Sequence, residues 1–284
     1  MLSLIICTRN KAALDTVSQS VASTIGVAYE IIGVDNSQNR YGICEAYNIG
    51  AAQAQYSFLC FMHEDIQFHT QDWGKFVANV LSDPKAGVLG VAGGTHQPKA
   101  PAGWGGAGWS FGRINVMHIT DGKSKLNHFN PRSKPLIEVA TLDGLWLCCR
   151  KSVWEEFKFD SIAFPGFHFY DIDFCTRVFT KYMNYLTYDI LIEHFSHGTF
   201  DKVWMQNAIS FFKKRRSFLP FGVDTMTRTE TNFIDLKAMQ MFTLRVIQNE
   251  LPKKDVLFCV VECLKLNPLN RDNLYLLKRY LTMK

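Results

Sequence analysis

The chain has 284 residues, of which 47% are hydrophobic and 20% charged. That is enough to bury a full core in one large α/β domain, or in one domain with a smaller appendage. The formal net charge of +5 with a pI near 8.7 does not call for nucleic acid, because the basic excess is local, in Lys213-Lys214-Arg215-Arg216 and toward the C-terminus. Eight cysteines without a Cys-x-x-Cys pair, two of them adjacent at Cys148-Cys149, exclude a zinc ribbon and an ordinary disulfide framework. They read as thiols of a reduced, cytoplasmic chain. No apolar run approaches the roughly 20 residues that span a bilayer, and residues 2–7 are too short, with no basic stretch before them, for a signal peptide core.

Residues 2–7 form a β-rich apolar run typical of a strand buried on both faces. Helical spacing at Leu14, Val17 and Val21 follows over 10–23, then a second buried strand over 30–34 that ends in Asp35-Asn36-Ser37. A helix is expected over 45–55, a third strand over 56–62, a helix over 73–81 and a fourth strand over 86–92. Strands alternating with helices imply βαβ units and a mainly parallel sheet, whose ligands bind beyond the carboxyl ends of the strands. Thr8-Arg9, Asp35-Asn36 and Glu64-Asp65 all fall on that edge. Residues 96–112 are rich in Gly, Pro and Trp and read as a long loop of the kind that serves as a lid or binding loop. The spans 139–150 and 188–193 are strand-like and 171–183 helical. Helices alone are expected beyond Phe200, over 203–217, 233–249, 255–266 and 274–281, with a boundary near Phe221-Gly222. The domains are therefore expected at 1–222 and 223–284.

Four constellations carry chemistry. His63-Glu64-Asp65 ends an apolar strand, where a carboxylate can ligate Mg²⁺ or Mn²⁺ on a diphosphate. The bland alternative is a solvated turn with a helix cap. Asp171-Ile-Asp173 opens a helix, and two carboxylates among Phe167, His168 and Tyr170 exceed what an N-cap needs. An ionised carboxylate there can take the proton of an acceptor hydroxyl. His194-Phe-Ser196-His197-Gly198 closes another strand, and an imidazole there can complete a metal site, although a lone His is more often a hydrogen-bonded structural group. Asp143-Gly144 reads first as a turn, and Trp104 and Trp109 as residues that stack on sugar or pack on the domain. Neither a dinucleotide fingerprint nor a P-loop is present, so Arg9, Lys11 and strand-edge amides are left to meet a diphosphate.

Taken in order, Ile6-Cys-Thr-Arg-Asn10, Val34-Asp-Asn-Ser37, Ala46-Tyr-Asn48-Ile-Gly50-Ala51, His63-Glu-Asp65, Thr141-Leu-Asp-Gly144, Phe167-His-Phe-Tyr-Asp-Ile-Asp173 with Arg177, and His194-Phe-Ser-His-Gly198 resemble the family 2-type inverting glycosyltransferases. The resemblance covers roughly residues 2–200. It implies the GT-A fold, a Rossmann-like sheet flanked by helices, here with a small C-terminal helical appendage. It also implies a nucleotide-sugar donor and a divalent metal, Mn²⁺ or Mg²⁺. By the same resemblance, Thr8, Arg9 and Asp35 would line the nucleotide pocket and Asn48 would help shape it. Asp65 would ligate the metal, with Glu64 beside it contacting donor or metal water, and His194 would reach the metal or diphosphate. Asp171 would be the general base. Asp143, Trp104 and Asp173 are assigned to the acceptor side. Two positions depart from the family pattern: Tyr170 replaces the Glu that usually precedes the base, and His63 stands where many members carry Asp.

The expected activity is transfer of a sugar from a nucleotide donor, a UDP-sugar first, to a hydroxyl of a glycan or lipid-linked acceptor in polysaccharide biosynthesis. The rival readings are a nucleotidyltransferase, which normally needs a Gly-rich loop after the first strand, and a non-catalytic sugar- or partner-binding module. The C-terminal helices could pair two subunits, hold a partner or dock on the inner face of a membrane; Trp204, Phe211 and Phe212 beside Lys213–Arg216 would suit docking, but a helix packed on its own domain is the favoured reading.

Overall fold

The computed structural model describes residues 1–120, 123–196, 198 and 200–283. His197, one of the two expected late histidines, lies outside them. The chain divides into two compact units, Met1–Thr95 with Gly112–Gly198, and His96–Phe111 with Thr199–Lys284. The boundary expected near Phe221-Gly222 falls inside the second.

In chain order, β1 (Leu2–Thr8), α1 (Lys11–Thr24), β2 (Tyr29–Asp35), α2 (Ile43–Gln53) and β3 (Phe58–Met62) set up the first three strands. Next come β4 (Ile66–Phe68), α3 (Trp73–Leu81), β5 (Ala86–Gly90), β6 (Ala92–Gly94) and the two-residue β7 (His96–Gln97). A hairpin of β8 (Gly112–Thr120) and β9 (Lys123–Phe129) leads to β10 (Leu136–Val139), β11 (Thr141–Leu142), β12 (Trp146–Arg150), α4 (Lys151–Phe157), α5 (Tyr170–Phe179), β13 (Met183–Thr187) and β14 (Ile192–His194). The remaining elements are α6 (Lys202–Arg215), β15 (Phe221–Gly222), α7 (Arg228–Gln248), α8 (Lys253–Leu266) and α9 (Arg271–Leu281).

The first unit carries a sheet in the order β10-β13-β5-β12-β3-β1-β2. β1 lies parallel to both β2 and β3, and β13 parallel to β5. β12 runs against both its neighbours, with Trp146 opposite Met62. It therefore enters the sheet at the edge where β1 and β3 end, and the residues just before it, Asp143 to Leu145, are delivered there. β1 is almost wholly buried, as a strand covered on both faces must be. Its exit is fixed by Asn10, whose side chain accepts the Ala12 amide at 2.9 Å and caps α1. Gly50 lets α2 lie close on this sheet, since a Cβ there would sit 2.4 Å from Ile5 Cγ2. A second sheet, β11-β6-β8-β14-β4 with β9 on β8, places His194 opposite Ile66 and beside His118.

The hairpin and β13 are not among the expected elements. β9 is exposed along most of its length and so shows no apolar run. β13 contains the fully buried Asn184, which donates to Ala140 O and Cys175 O and accepts the Val88 amide. A polar residue stitching three segments interrupts the apolar signal of a strand. The helix expected over 171–183 ends at Phe179, and its last residue, Met183, already belongs to β13.

The second unit is built on α7, α8 and α9. Thr227 and Glu230 form a capping box at the start of α7. Gln240 donates to Asn273 Oδ1 at 2.7 Å, and Asn273 donates to Cys263 O and Asn267 O, so a satisfied polar network ties the three helices. Arg216 grips Glu262 with two nitrogens, at 3.1 and 2.6 Å. Phe211 and Phe212 are core residues at 0% and 1% exposure. Their burial agrees with a helix packed on its own domain and leaves these two rings unavailable for membrane docking. Among the described residues, no helix is long and apolar enough to cross one.

Candidate active site

The ends of β1 and β2 lie side by side, Thr8 opposite Asp35. Asp35 is exposed, and its carboxylate accepts the Ser37 amide at 2.9 Å, a hydrogen bond that lowers its pKa. Asn36 is buried and closes the following loop by pairing with both the N–H and C=O of Tyr41. Glu64, arriving at the end of β3, spans the β1 exit. Its carboxylate accepts the Thr8 hydroxyl at 2.6 Å and the amides of Arg9, at 3.2 Å, and Asn10, at 3.4 Å. The strand-edge amides expected to receive a diphosphate are thus already bonded to Glu64.

Asp65 turns the other way, toward His63 and His194. Its Oδ1 is 3.4 Å from His194 Nε2 and 3.8 Å from His63 Nδ1, and the two imidazole nitrogens are 3.4 Å apart. All three ligand atoms lie within 4.8 Å of one another. Ligands on an ion with bonds near 2.1 Å stand roughly 3–3.5 Å apart; two of the three spacings, both 3.4 Å, match a single divalent ion, and the third, 3.8 Å, is slightly wider. Burial pushes the Asp65 carboxyl up, but hydrogen bonds from His194 and Ser196 and the neighbouring imidazoles outweigh it and hold the carboxyl well below the usual range. Burial, reinforced by His194, pushes the His63 imidazole down and favours its neutral, ligating form. The Phe195 amide donates to Asp65 O at 3.0 Å, locking β14 to the end of β3.

The third part comes from α5 and the turn before β12. Phe169 takes a left-handed backbone, φ 67°, directly before the helix, a strained state for a bulky residue. It sends Tyr170 and Asp171 into the site. Asp171 accepts the Gly144 amide at 3.0 Å. Burial, with Asp143 next, pushes its carboxyl up to about 7, although three backbone amides oppose the shift. The Tyr170 hydroxyl donates to Gly144 O at 2.9 Å and meets His63 Nε2 at 2.9 Å. The Asp171 carboxylate is therefore linked to the His63–Asp65–His194 cluster by one chain of hydrogen bonds through Gly144 and Tyr170. Nearby, Tyr47, Phe61, Phe159 and Phe174 pack with ring centroids 4.5–5.4 Å apart.

Two expected residues of the first unit, Asn48 and Asp173, lie outside this chain of hydrogen bonds. Asn48 is consumed by structure: its Nδ2 donates to Phe159 O, and its Oδ1 accepts Trp154 Nε1 and the Phe159 amide. Asp173 is 1% exposed and paired with Arg177 at 2.8 Å, while Arg177 also holds the carbonyls of Phe157 and Lys158. This corrects the acceptor-side expectation for Asp173, whose carboxylate is turned inward to that guanidinium. Trp104 belongs to the second unit and is half-buried. Replacing Arg177 with Ala should destabilise the chain by about 3–5 kcal/mol, because it strips a buried carboxylate of its counter-charge. The urea midpoint reads this out, and an unmoved midpoint would show that the ion pair is dispensable.

The sequence puts Asp65, Asp171 and His194 at strand and helix ends but does not disclose Tyr170, Ser196 and the Gly144 amide as their partners. Tyr170 stands out there only as the residue in the place of an expected Glu. Its bond to His63 spans 107 residues, a separation that no local pattern reveals.

A mixed sheet edged by carboxylates and imidazoles, with an antiparallel strand delivering Asp143 to that edge, is GT-A architecture. The crystal structure of GalNAc-T7 with UDP, GalNAc and Mn²⁺ shares the fold at a TM-score of 0.51 and 10% identity, covering 74% of this chain and 48% of that one. The chain thus spans about half the length of that protein. Among curated proteins none matches the sequence. The model of the glycosyltransferase-like family matches residues 3–217, and the chain belongs to that family.

Proposed function

We propose that this chain is an inverting glycosyltransferase that moves a sugar from a UDP-sugar to an acceptor hydroxyl, with Asp171 as general base. The observation that carries the reading is the hydrogen-bonded chain joining Asp171 to the His63–Asp65–His194 cluster. GalNAc-T7, similar in fold, was crystallised with UDP, GalNAc and Mn²⁺, which supports a nucleotide-sugar donor and a divalent cofactor here. His63, Asp65 and His194 would hold the ion, and when bound it would balance the charge of a departing diphosphate.

The chain's own residues do the rest. Asp35 and Thr8 border the nucleotide end of the edge. Asp171 takes the acceptor proton as the hydroxyl oxygen forms its bond to the anomeric carbon and the C–O bond to the diphosphate breaks on the opposite face. Attack opposite the leaving group inverts the anomeric centre. A carboxyl near 7 is a stronger base than an ordinary Asp and is still substantially ionised at neutral pH. The Gly144 amide holds that carboxylate in place, so little reorganisation is needed at the moment of transfer. The turn after β1 has no glycine-rich loop and its amides are taken by Glu64, which counts against the nucleotidyltransferase reading.

A screen of nucleotide-sugars with Mn²⁺ tests the proposal. A UDP-sugar should raise the melting temperature and be slowly hydrolysed, with both effects removed by EDTA. If no nucleotide-sugar did either, the reading would fail.

A further inference from the structure

We infer that Tyr170 is a positioning residue that fixes His63 as the Nε2–H tautomer, so that Nδ1 presents a bare lone pair to Asp65 and His194. This role rests on the proposed metal site but adds to it a residue that touches neither ion nor substrate.

Proton counting decides the tautomer. Tyr170 Oη lies 2.9 Å from Gly144 O and 2.9 Å from His63 Nε2. A carbonyl has no proton to give, so the single phenolic proton must occupy the contact with Gly144 O. Toward His63 the phenol oxygen can then only accept, and Nε2 must carry the hydrogen. A neutral imidazole protonated at Nε2 is bare at Nδ1, the atom that faces His194 Nε2 at 3.4 Å and Asp65 Oδ1 at 3.8 Å. Ligating imidazoles are oriented in this way by a partner on the other ring nitrogen.

Two further features hold the phenol where it is. Tyr170 is 4% exposed and wedged edge-on against Tyr47, with centroids 5.7 Å apart. The residue supplying the carbonyl is held to glycine, because a Cβ on Gly144 would sit 2.1 Å from Tyr170 Oη. The Asp143-Gly144 pair thus has a second use besides turning the chain: its glycine leaves room for the hydroxyl that orders His63, a ligand far upstream in the sequence.

The test uses the full chain and Mn²⁺ alone. In wild type free of metal, nitrogen-15 NMR of the histidine rings should show His63 protonated at Nε2. In Tyr170→Phe, which keeps the ring packing, that signal should give way to a tautomer mixture, and calorimetry should show Mn²⁺ affinity falling by roughly 10–100-fold, the usual cost of losing an outer partner of a ligating His. Gly144→Ala, which displaces the phenol and keeps it, should weaken Mn²⁺ in the same way. Circular dichroism checks that both variants are folded. Protonation of His63 at Nδ1 in the wild type would overturn the inference, as would a folded Tyr170→Phe that kept the wild-type tautomer. Should the wild type bind no Mn²⁺, the metal reading falls, and the NMR spectrum of the metal-free chain still decides the role of Tyr170.

Discussion

Asp171→Asn should lower the rate of sugar transfer by roughly 10²–10⁴-fold, the usual contribution of a positioned general base, while leaving donor affinity unchanged. The amide is nearly the same size, and its oxygen can still accept the Gly144 N–H that the carboxylate accepts at 3.0 Å, so the loss would be chemical rather than structural. The pH profile carries the same information. Burial and then Asp143 raise the Asp171 carboxyl to about 7, and the base works only when ionised, so wild-type activity should climb as pH rises through 7 and level off above it. Stability runs the other way. The folded chain holds this proton to about pH 7, whereas the unfolded chain releases it near the ordinary value of 3.8, so the carboxyl costs stability as pH rises across that window. The Asn variant escapes the cost, and at pH 8 its melting temperature should equal or exceed that of the wild type. Wild-type turnover by the variant would remove Asp171 from the reaction.

Asp65→Ala should abolish Mn²⁺-dependent donor binding. It removes the one carboxylate from a set whose other members are imidazoles, and with it the member that brings negative charge to the ion. The loss in Mn²⁺ affinity should exceed the roughly 10–100-fold that outer partners are worth. Calorimetry with the donor nucleotide in the presence and absence of Mn²⁺ separates the two contributions: wild type should show a large difference between the titrations and the variant none. A variant that retained the difference would place the ion elsewhere.

Much of the edge can be read from the chain because strand ends announce themselves. The apolar runs before Thr8, Asp35 and His63 stop abruptly at polar residues, and the parallel pairing of β1 with β2 and β3 then aligns those stops. The remainder depends on tertiary facts. β12 runs against its neighbours, which no apolar run discloses, and that direction is what carries Asp143 and Gly144 to the edge. Asn48 and Asp173 have the residue types of ligand contacts, yet their partners, Trp154 with Phe159 in one case and Arg177 in the other, are structural. Chemical type alone does not separate a polar side chain that meets a ligand from one that holds a loop. For Asn48 and Asp173 the answer lies in partners that hold loops and a helix together.

Glu64 is likewise bonded within the protein. By bonding Thr8 and the amides of Arg9 and Asn10, it plays the part of a resident anion at the head of α1. A phosphate oxygen approaching that spot meets a negative charge instead of open N–H groups, and must either evict the side chain or settle nearer the imidazoles. Any anion bound at the head of the helix would therefore exchange with a carboxylate, and its affinity would reflect the difference between two guests.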